Sequence, residues 1–290
     1  MLPEAFLERM KRQLGDEYES YLDSLNRPRA VALRFNPLKG EIPQLPFVGQ
    51  PVPWEPMGYY YDPDARPGLH VFHEAGVYYL QEASAMAPVA LLDPKPGERV
   101  CDLCAAPGGK SRMCADLVLR SAGFDRSACS NSLLVSVDLP GPRMEKLSEN
   151  LSKIDFIKSH SIASDLVSGS LAGELEKRGL PTLFNRVLLD APCSNTGVLR
   201  RRPDARYRLE EEDISSCSEL QKTLMAKAAK FTSRGGSFVY STCSIEREEN
   251  SENAEWFTGN FPDFELVQSK ICIPGAFNDG GGSFLFKRRS

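Results

Sequence analysis

Three stretches of the chain put nucleophiles and acids at spacings that could do chemistry. "CDLCAAPGGKSR" (101–112) runs from an apolar pattern into a loop of small residues, Cys104, Ala105, Ala106, Pro107, Gly108 and Gly109, ending in Lys110. "LLDAPCSNTGVLRRRPDARYR" (188–208) carries Asp190 and Cys193, then Arg200, Arg201, Arg202, Arg206 and Arg208 with Tyr207 among them. "YSTCSIEREEN" (240–250) carries Cys243 and a run of glutamates. A thiol can add to an electrophilic carbon, and a neighbouring acid or base can move the proton that such an addition requires.

The glycine loop is not a triphosphate loop. That motif needs a glycine five residues before its second glycine, and Cys104 stands there. The alternative is a strand–loop–helix turn whose small residues let backbone amides approach a cofactor, with an acid ending the next strand to hold ribose hydroxyls. Asp138, at the end of "SLLVSVD" (132–138), suits that acid. A tight turn with no ligand would use the same glycines. "CDLC" invites a zinc reading with Cys114 and Cys129, but Cys101 sits inside a strand pattern and no second knuckle follows, so no metal is expected. "HVFH" (70–73), read as extended, sends His70 and His73 to opposite faces and makes them packing residues.

The arginine cluster with an aromatic suits phosphate contact and base stacking, although a solvated loop has the same composition. Cys243 ends a strand. The sequence after it predicts a helix with Glu246, Glu248 and Glu249 in its first turn, where the dipole favours a thiolate and the glutamates oppose it.

The elements that must position these groups follow from the apolar rhythm. "ERVCDLC", "SLLVSVD", "RVLLDA" (186–191) and "GSFVYSTC" (236–243) are short apolar runs, with helical patterns at 142–153 and 214–231 and a final strand at "SFLFKR". Buried strands alternating with helices predict a parallel α/β sheet, with ligands collecting at the carboxyl ends of its strands. Those ends carry Cys104, Asp138, Asp190 with Cys193, and Cys243. Ahead of this lies a small α+β module, expected over residues 1–75. It comprises an amphipathic helix at 3–24, a strand at 30–36, and an extended proline-rich stretch at 37–56 without regular structure. The catalytic unit is expected over 76–290, opening with a helix at 78–92.

The chain of 290 residues is 41% hydrophobic and 26% charged, with a net charge of −4, so any basic surface must be local. No apolar run approaches bilayer length, and eight cysteines without an evident secretion signal suggest reduced thiols in the cytoplasm.

Taken in order, "DLCAAPGGK", "DAPCSNTG" and "STCS" resemble the Nop/Sun family of RNA cytosine-5 methyltransferases. "PEAFLERM", "LRFNPLK" and "YYLQEASAM" are similar to its bacterial ribosomal-RNA members. The resemblance implies a Rossmann-like S-adenosyl-L-methionine domain behind an RNA-contacting N-terminal module, acting on ribosomal RNA with transfer RNA as the second candidate. It implies that residues 104–110 form the cofactor loop. Asp138 would then bind the ribose, Asp165 lie by the adenine, and Asp190 reach both cofactor and target base. Cys243 would be the nucleophile, Cys193 would assist product release, and Lys110 would belong to both loop and catalytic group. The chain departs from the family pattern in the long stretch "RSAGFDRSACSNS" (120–132) and in "DLPGPR" after the ribose acid. Two alternatives stay open: amino-group methylation, which needs no thiol, and an RNA-binding protein with a degenerate cofactor site.

Overall fold

The computed structural model describes residues 2–29, 31–202 and 210–290. Two sheets organise these residues. The larger contains β5 (Arg99–Leu103), β6 (Leu133–Asp138), β7 (Lys158–Ala163), β8 (Phe184–Asp190), β9 (Thr232–Thr242), β10 (Phe264–Cys272) and β11 (Gly281–Arg288), in the order β10-β11-β9-β8-β5-β6-β7. Strands β7, β6, β5, β8 and β9 run parallel, while β11 is antiparallel to both β9 and β10. This is the Rossmann-like α/β sheet expected from the apolar runs. Strand order reverses between β5 and β8, so a crevice opens at their carboxyl ends, where Cys104 and Asp190 lie. Both faces are buried, which is why β6 reads LLVSVD with every residue covered.

One face packs on the Glu211–Phe231 and Ser251–Asn260 helices through Leu224, Met225, Phe238, Phe257 and Phe286. The other packs on the Ala83–Leu92 and Gly109–Ser121 helices through Met86, Val89, Met113, Val118 and Leu134.

The smaller sheet has the order β2-β3-β1-β4, from β1 (Ala32–Phe35), β2 (Val48–Val52), β3 (Glu55–Tyr61) and β4 (Tyr78–Leu80). It corrects three expectations. The 37–56 stretch is not without regular structure, because Val48–Val52 pairs with β3 despite Pro51. The helix expected at 78–92 starts only at Ala83, since Tyr78–Leu80 pairs with β1. His70 and His73 are not in extended chain. His70 caps a one-turn helix at Val71–Glu74, its Nδ1 accepting from the Phe72 N–H.

The expected helix at 3–24 is likewise broken. Glu4–Leu14 ends at Gly15, whose φ of 52° suits glycine, and after a single tight turn the chain resumes as Tyr18–Asn26. Phe6, Met10 and Leu14 still form the buried stripe, but they pack on Leu199 and Ile245. The first helix therefore covers the loops that follow β8 and β9. Two largely buried ion pairs, Arg34–Asp116 and Glu55–Arg120, tie the smaller sheet to the Gly109–Ser121 helix. Lys270 of β10 sits 3.2 Å from the centre of the Trp54 ring.

Candidate active site

The turn from β5 into the Gly109–Ser121 helix is shaped by backbone that few residues tolerate. Cys104 adopts φ of 67°, a left-handed conformation that costs a non-glycine residue about 1–2 kcal/mol. Gly108 has φ of 106° and caps the helix, and a Cβ there would approach Leu147 and Asn150 at 3.1 and 3.2 Å. Asn150 Nδ2 donates to the Pro107 carbonyl at 2.7 Å, fixing the loop against the Arg143–Ser152 helix.

Asp138 ends β6 beside this loop. Its Oδ2 accepts from the Ala106 N–H at 2.7 Å and its Oδ1 from the Leu139 N–H at 2.9 Å. The long 120–132 stretch therefore leaves the acid at the strand end next to the loop. Asp165 follows β7, and its carboxylate accepts from the Ser168 hydroxyl at 2.5 Å and the Val167 N–H at 2.8 Å, which lower its pKa. Cys104, Ala106, Asp138, Asp165, Asp190, Cys193 and Cys243 all line one cavity of about 330 Å³. Leu139, Val167 and Leu220 line it too, and are 58%, 44% and 38% exposed. A carboxylate that can accept from sugar hydroxyls, flanked by apolar side chains that can cover a flat ring, fits an adenosine.

At the other end stand the thiols. The two sulfurs of Cys193 and Cys243 are 2.7 Å apart, and the Cys243 N–H points to the Cys193 sulfur at 3.3 Å. The Cys243 thiol donates to Asn195 Oδ1 at 3.2 Å. The contact with Cys243 and then burial raise the Cys193 pKa well above the ordinary thiol value. Burial, with Asp138 and Asp190 nearby, also pushes the Cys104 thiol up, so Cys104 stays protonated.

Between thiols and loop, Asp190 accepts from Lys110 Nζ at 2.6 Å and from the Ser241 hydroxyl at 2.8 Å. Burial opposes the charge on Lys110, but Asp190, with Asp102 and Cys243 beyond it, raises its pKa above the ordinary lysine value. Asp102 lies beneath, wholly buried, accepting from Ser111 Oγ at 2.5 Å. Burial drives its pKa up to about 7.

The loop after β8 is held from below. Ser194 N–H donates to Glu249 Oε2 at 3.0 Å, and Gln221 Nε2 donates to Glu249 and to the Pro192 carbonyl at 2.8 and 2.9 Å. Gly197 closes the loop against its neighbours: its N–H donates to the Cys243 carbonyl at 3.0 Å, and a Cβ there would lie 2.6 Å from Gly280.

Several expectations need correction. Residues 244–250 are not a helix; the next helix starts at Ser251, so no dipole acts on Cys243. Glu246 and Glu249 are fully buried supports, Glu246 accepting from Arg9 Nε at 2.7 Å. Arg200 is not an exposed RNA contact. Its side chain is 2% exposed and pairs with Asp279 at 2.9 Å while donating to the Gly275 and Asn278 carbonyls. Arg201, also paired with Asp279, and Arg202 line a cavity of about 270 Å³ with Lys110, Asp190 and Cys243. Arg206, Tyr207 and Arg208 lie outside the described residues. Sequence patterning does not single out Asn195, Gln221 and Glu249 as supports, nor Arg143 and Leu139 beside Asp138. Asn195 and Glu249 stand within the two cysteine stretches, but only the sheet's geometry brings them to the thiols.

Residues 89–283 match the model of the family described as 16S rRNA methyltransferase RsmB/F, and residues 2–83 match the N-terminal domain of 16S rRNA methyltransferase RsmF. The chain is 33% identical over 291 residues to ribosomal RNA small subunit methyltransferase F of Cronobacter sakazakii, covering 95% of this chain and 57% of that protein. It thus spans little more than half of that relative's length. The crystal structure of PH0851 superposes with a TM-score of 0.85 at 28% identity, over 99% of this chain and 66% of that one. A methyltransferase homolog protein from Pyrococcus horikoshii superposes with a TM-score of 0.74 at 26% identity, over 99% of this chain and 100% of that one.

Proposed function

The chain belongs to the RsmB/F family of 16S rRNA methyltransferases, and from that premise we propose that it methylates C5 of a cytosine in small-subunit ribosomal RNA, using S-adenosyl-L-methionine. The observation that carries the reading is the pair of thiols 2.7 Å apart beside the Lys110–Asp190 pair, at one end of a cavity whose other end holds Asp138. Amino-group methylation would have no use for two thiols, because an amine attacks directly.

Asp138 and the 104–109 loop would hold the ribose and methionyl parts of the cofactor, with Leu139 and Val167 against the adenine and Asp165 nearby. Bound there, S-adenosyl-L-methionine supplies an electrophilic methyl group. Cytosine C5 is a weak nucleophile until a thiolate adds to C6, which leaves an enamine-like ring. Cys243 makes that addition. Asn195 orients its thiol, and the Lys110 ammonium lies near enough to interact with its charge. The Asp190 carboxylate, held by Lys110 and Ser241, faces the ring to stabilise charge that develops on it. The methylated adduct carries a proton on C5 that must leave before the C6–sulfur bond breaks. Cys193 is the group adjacent to Cys243; its raised pKa keeps it a thiol until it passes its proton to solvent, and the thiolate so formed is a strong base for the C5 proton. Proton to Cys193 and electron pair to the ring then release Cys243 as thiolate.

The test incubates the protein with methyl-labelled S-adenosyl-L-methionine and purified 16S ribosomal RNA or transfer RNA, then digests to nucleosides. Label in 5-methylcytidine from the ribosomal sample is expected. Label in an N-methylated nucleoside, or in transfer RNA alone, would overturn the reading.

A further inference from the structure

On the far side of the 104–109 loop, the described residues enclose a second concavity of about 770 Å³ between the smaller sheet's module and the Arg143–Ser152 helix. Arg112 lines it from the helix that follows the glycine loop. Its side chain is almost covered, the residue being 9% exposed, yet among the described residues its guanidinium has no hydrogen bond or ion pair. A buried charge without a counter-charge is costly, and natural structures pair it. The Arg112 guanidinium opens onto the concavity, so its charge is left for water or an anionic ligand to meet.

The rest of the concavity adds to this charge. Lys39 stands on one wall with no ion pair among the described residues. Lys146 and Lys153 on the other wall share the single carboxylate of Glu149, at 2.7 and 3.0 Å. Arg126 is neutralised by Asp155 at 2.7 Å, and Glu74 is the remaining acid on the rim. Positive charge therefore exceeds negative in a groove of a chain whose net charge is −4. Tyr79 supplies an aromatic face, its ring 3.1 Å from where a Cβ on Gly109 would be. Tyr79 and Leu80 also line the cavity that contains Lys110 and Asp190, so the groove adjoins the proposed active site.

We propose that this groove seats the sugar–phosphate backbone of single-stranded RNA flanking the target base, one phosphate on Arg112 and the next between Lys146 and Lys153. The inference rests on the RNA methyltransferase reading and adds the path of the strand. Several basic groups lining one groove fit a polyanion better than a lone phosphate, and an aromatic beside them fits an unstacked base. A single strand is required because a cytosine must leave its stack before C5 and C6 can be reached.

The test is fluorescence anisotropy of the full chain with a short labelled single-stranded RNA across a potassium chloride series. Removing one basic side chain from a phosphate should reduce the log–log salt slope by about 0.7. R112Q is expected to show one such decrement and K146Q/K153Q between one and two, with affinity for S-adenosyl-L-methionine unchanged in the lysine variant by calorimetry. K222Q, at a surface ion pair elsewhere, should match the unsubstituted protein. Lys146 and Lys153 are 57% and 50% exposed at their side chains, so their substitution keeps the test valid if R112Q fails to fold. Unchanged slopes in the lysine variant would overturn the groove. Displacement of RNA by polyglutamate as readily as by unlabelled RNA would overturn it in favour of an acidic protein partner. Absence of methyl transfer by the unsubstituted protein would instead remove the methyltransferase reading, leaving the slopes to judge the groove alone.

Discussion

At the residue scale the question is how two adjacent thiols would divide the proposed reaction. Cys243 reaches Asn195 while the half-buried Cys193 lies against it with a raised pKa, so they are chemically unequal. Cys243→Ala should abolish methyl transfer and leave cofactor affinity within a few-fold, read by calorimetry and label incorporation. Cys193→Ala should stall release. A covalent protein–RNA band, resistant to denaturant and removed by ribonuclease, should accumulate, and adding Cys243→Ala should erase it. Normal turnover by Cys193→Ala would end the two-thiol scheme. Asp102 gives a prediction about stability. Its folded pKa of about 7 lies above the ordinary carboxyl value of about 4, so between those pH values the folded state holds a proton that the unfolded state has lost. Its contribution therefore falls as pH rises through that window, by about 1.4 kcal/mol per pH unit at most, and levels off above it. Asp102→Asn should gain in Tm relative to the unsubstituted protein as pH rises through that same window. A constant difference would show that Asp102 titrates normally. The cysteines and Asp190 were legible because strand ends can be read from apolar runs. Glu249 was not, since its meeting with Ser194 spans 55 residues of chain and no local pattern encodes it.

At the element scale, the loops that carry Cys193 and Cys243 are held by elements far away in sequence. Arg9 Nε pairs with the buried Glu246 at 2.7 Å, and Gln13 Nε2 donates to the Ile245 carbonyl at 2.5 Å. Arg9→Ala strips a buried carboxylate of its main partner, and loss of one member of such a pair costs about 3–5 kcal/mol. Arg9 is 18% exposed at its side chain, so the lower end is expected. Thermal unfolding should move down by several degrees, and methyl transfer should fall more than cofactor affinity does. Arg9→Lys should recover part of both. The sequence revealed the parallel strands and the stripe of Phe6, Met10 and Leu14, because apolar periodicity is local. It concealed β4 and β2. Tyr78–Leu80 abuts a helix with no breaker between them, and Val48–Val52 contains a proline that edge strands tolerate. The glutamates after Cys243 looked like a helix start because acids favour first turns. In the fold they are drawn away to Arg9, Ser194 and Gln221.

For the whole molecule, Asp279 joins chain segments that are distant in sequence. It receives Arg200 and Arg201, while its own N–H donates to Glu82 at 3.1 Å. Arg200→Ala should therefore act as a destabilising substitution rather than an RNA-binding one, lowering Tm while the salt slope of RNA binding stays unchanged. A changed slope with an unchanged Tm would restore Arg200 to the RNA surface. Composition could not separate Arg200 from its neighbours, since a cluster of like residues carries no record of which member faces inward. The cover that the first helix forms over Leu199 and Ile245 has a consequence for how the protein is made. The residues that helix packs on are synthesised well after it, Arg9 and Glu246 being 237 positions apart. Until then its apolar stripe has no native partner, and contacts of such long range form late in folding. The loop that carries Cys243 is thus completed only after the chain has been translated past Glu246, so a nascent chain cut short before that point lacks the contacts that hold the loop.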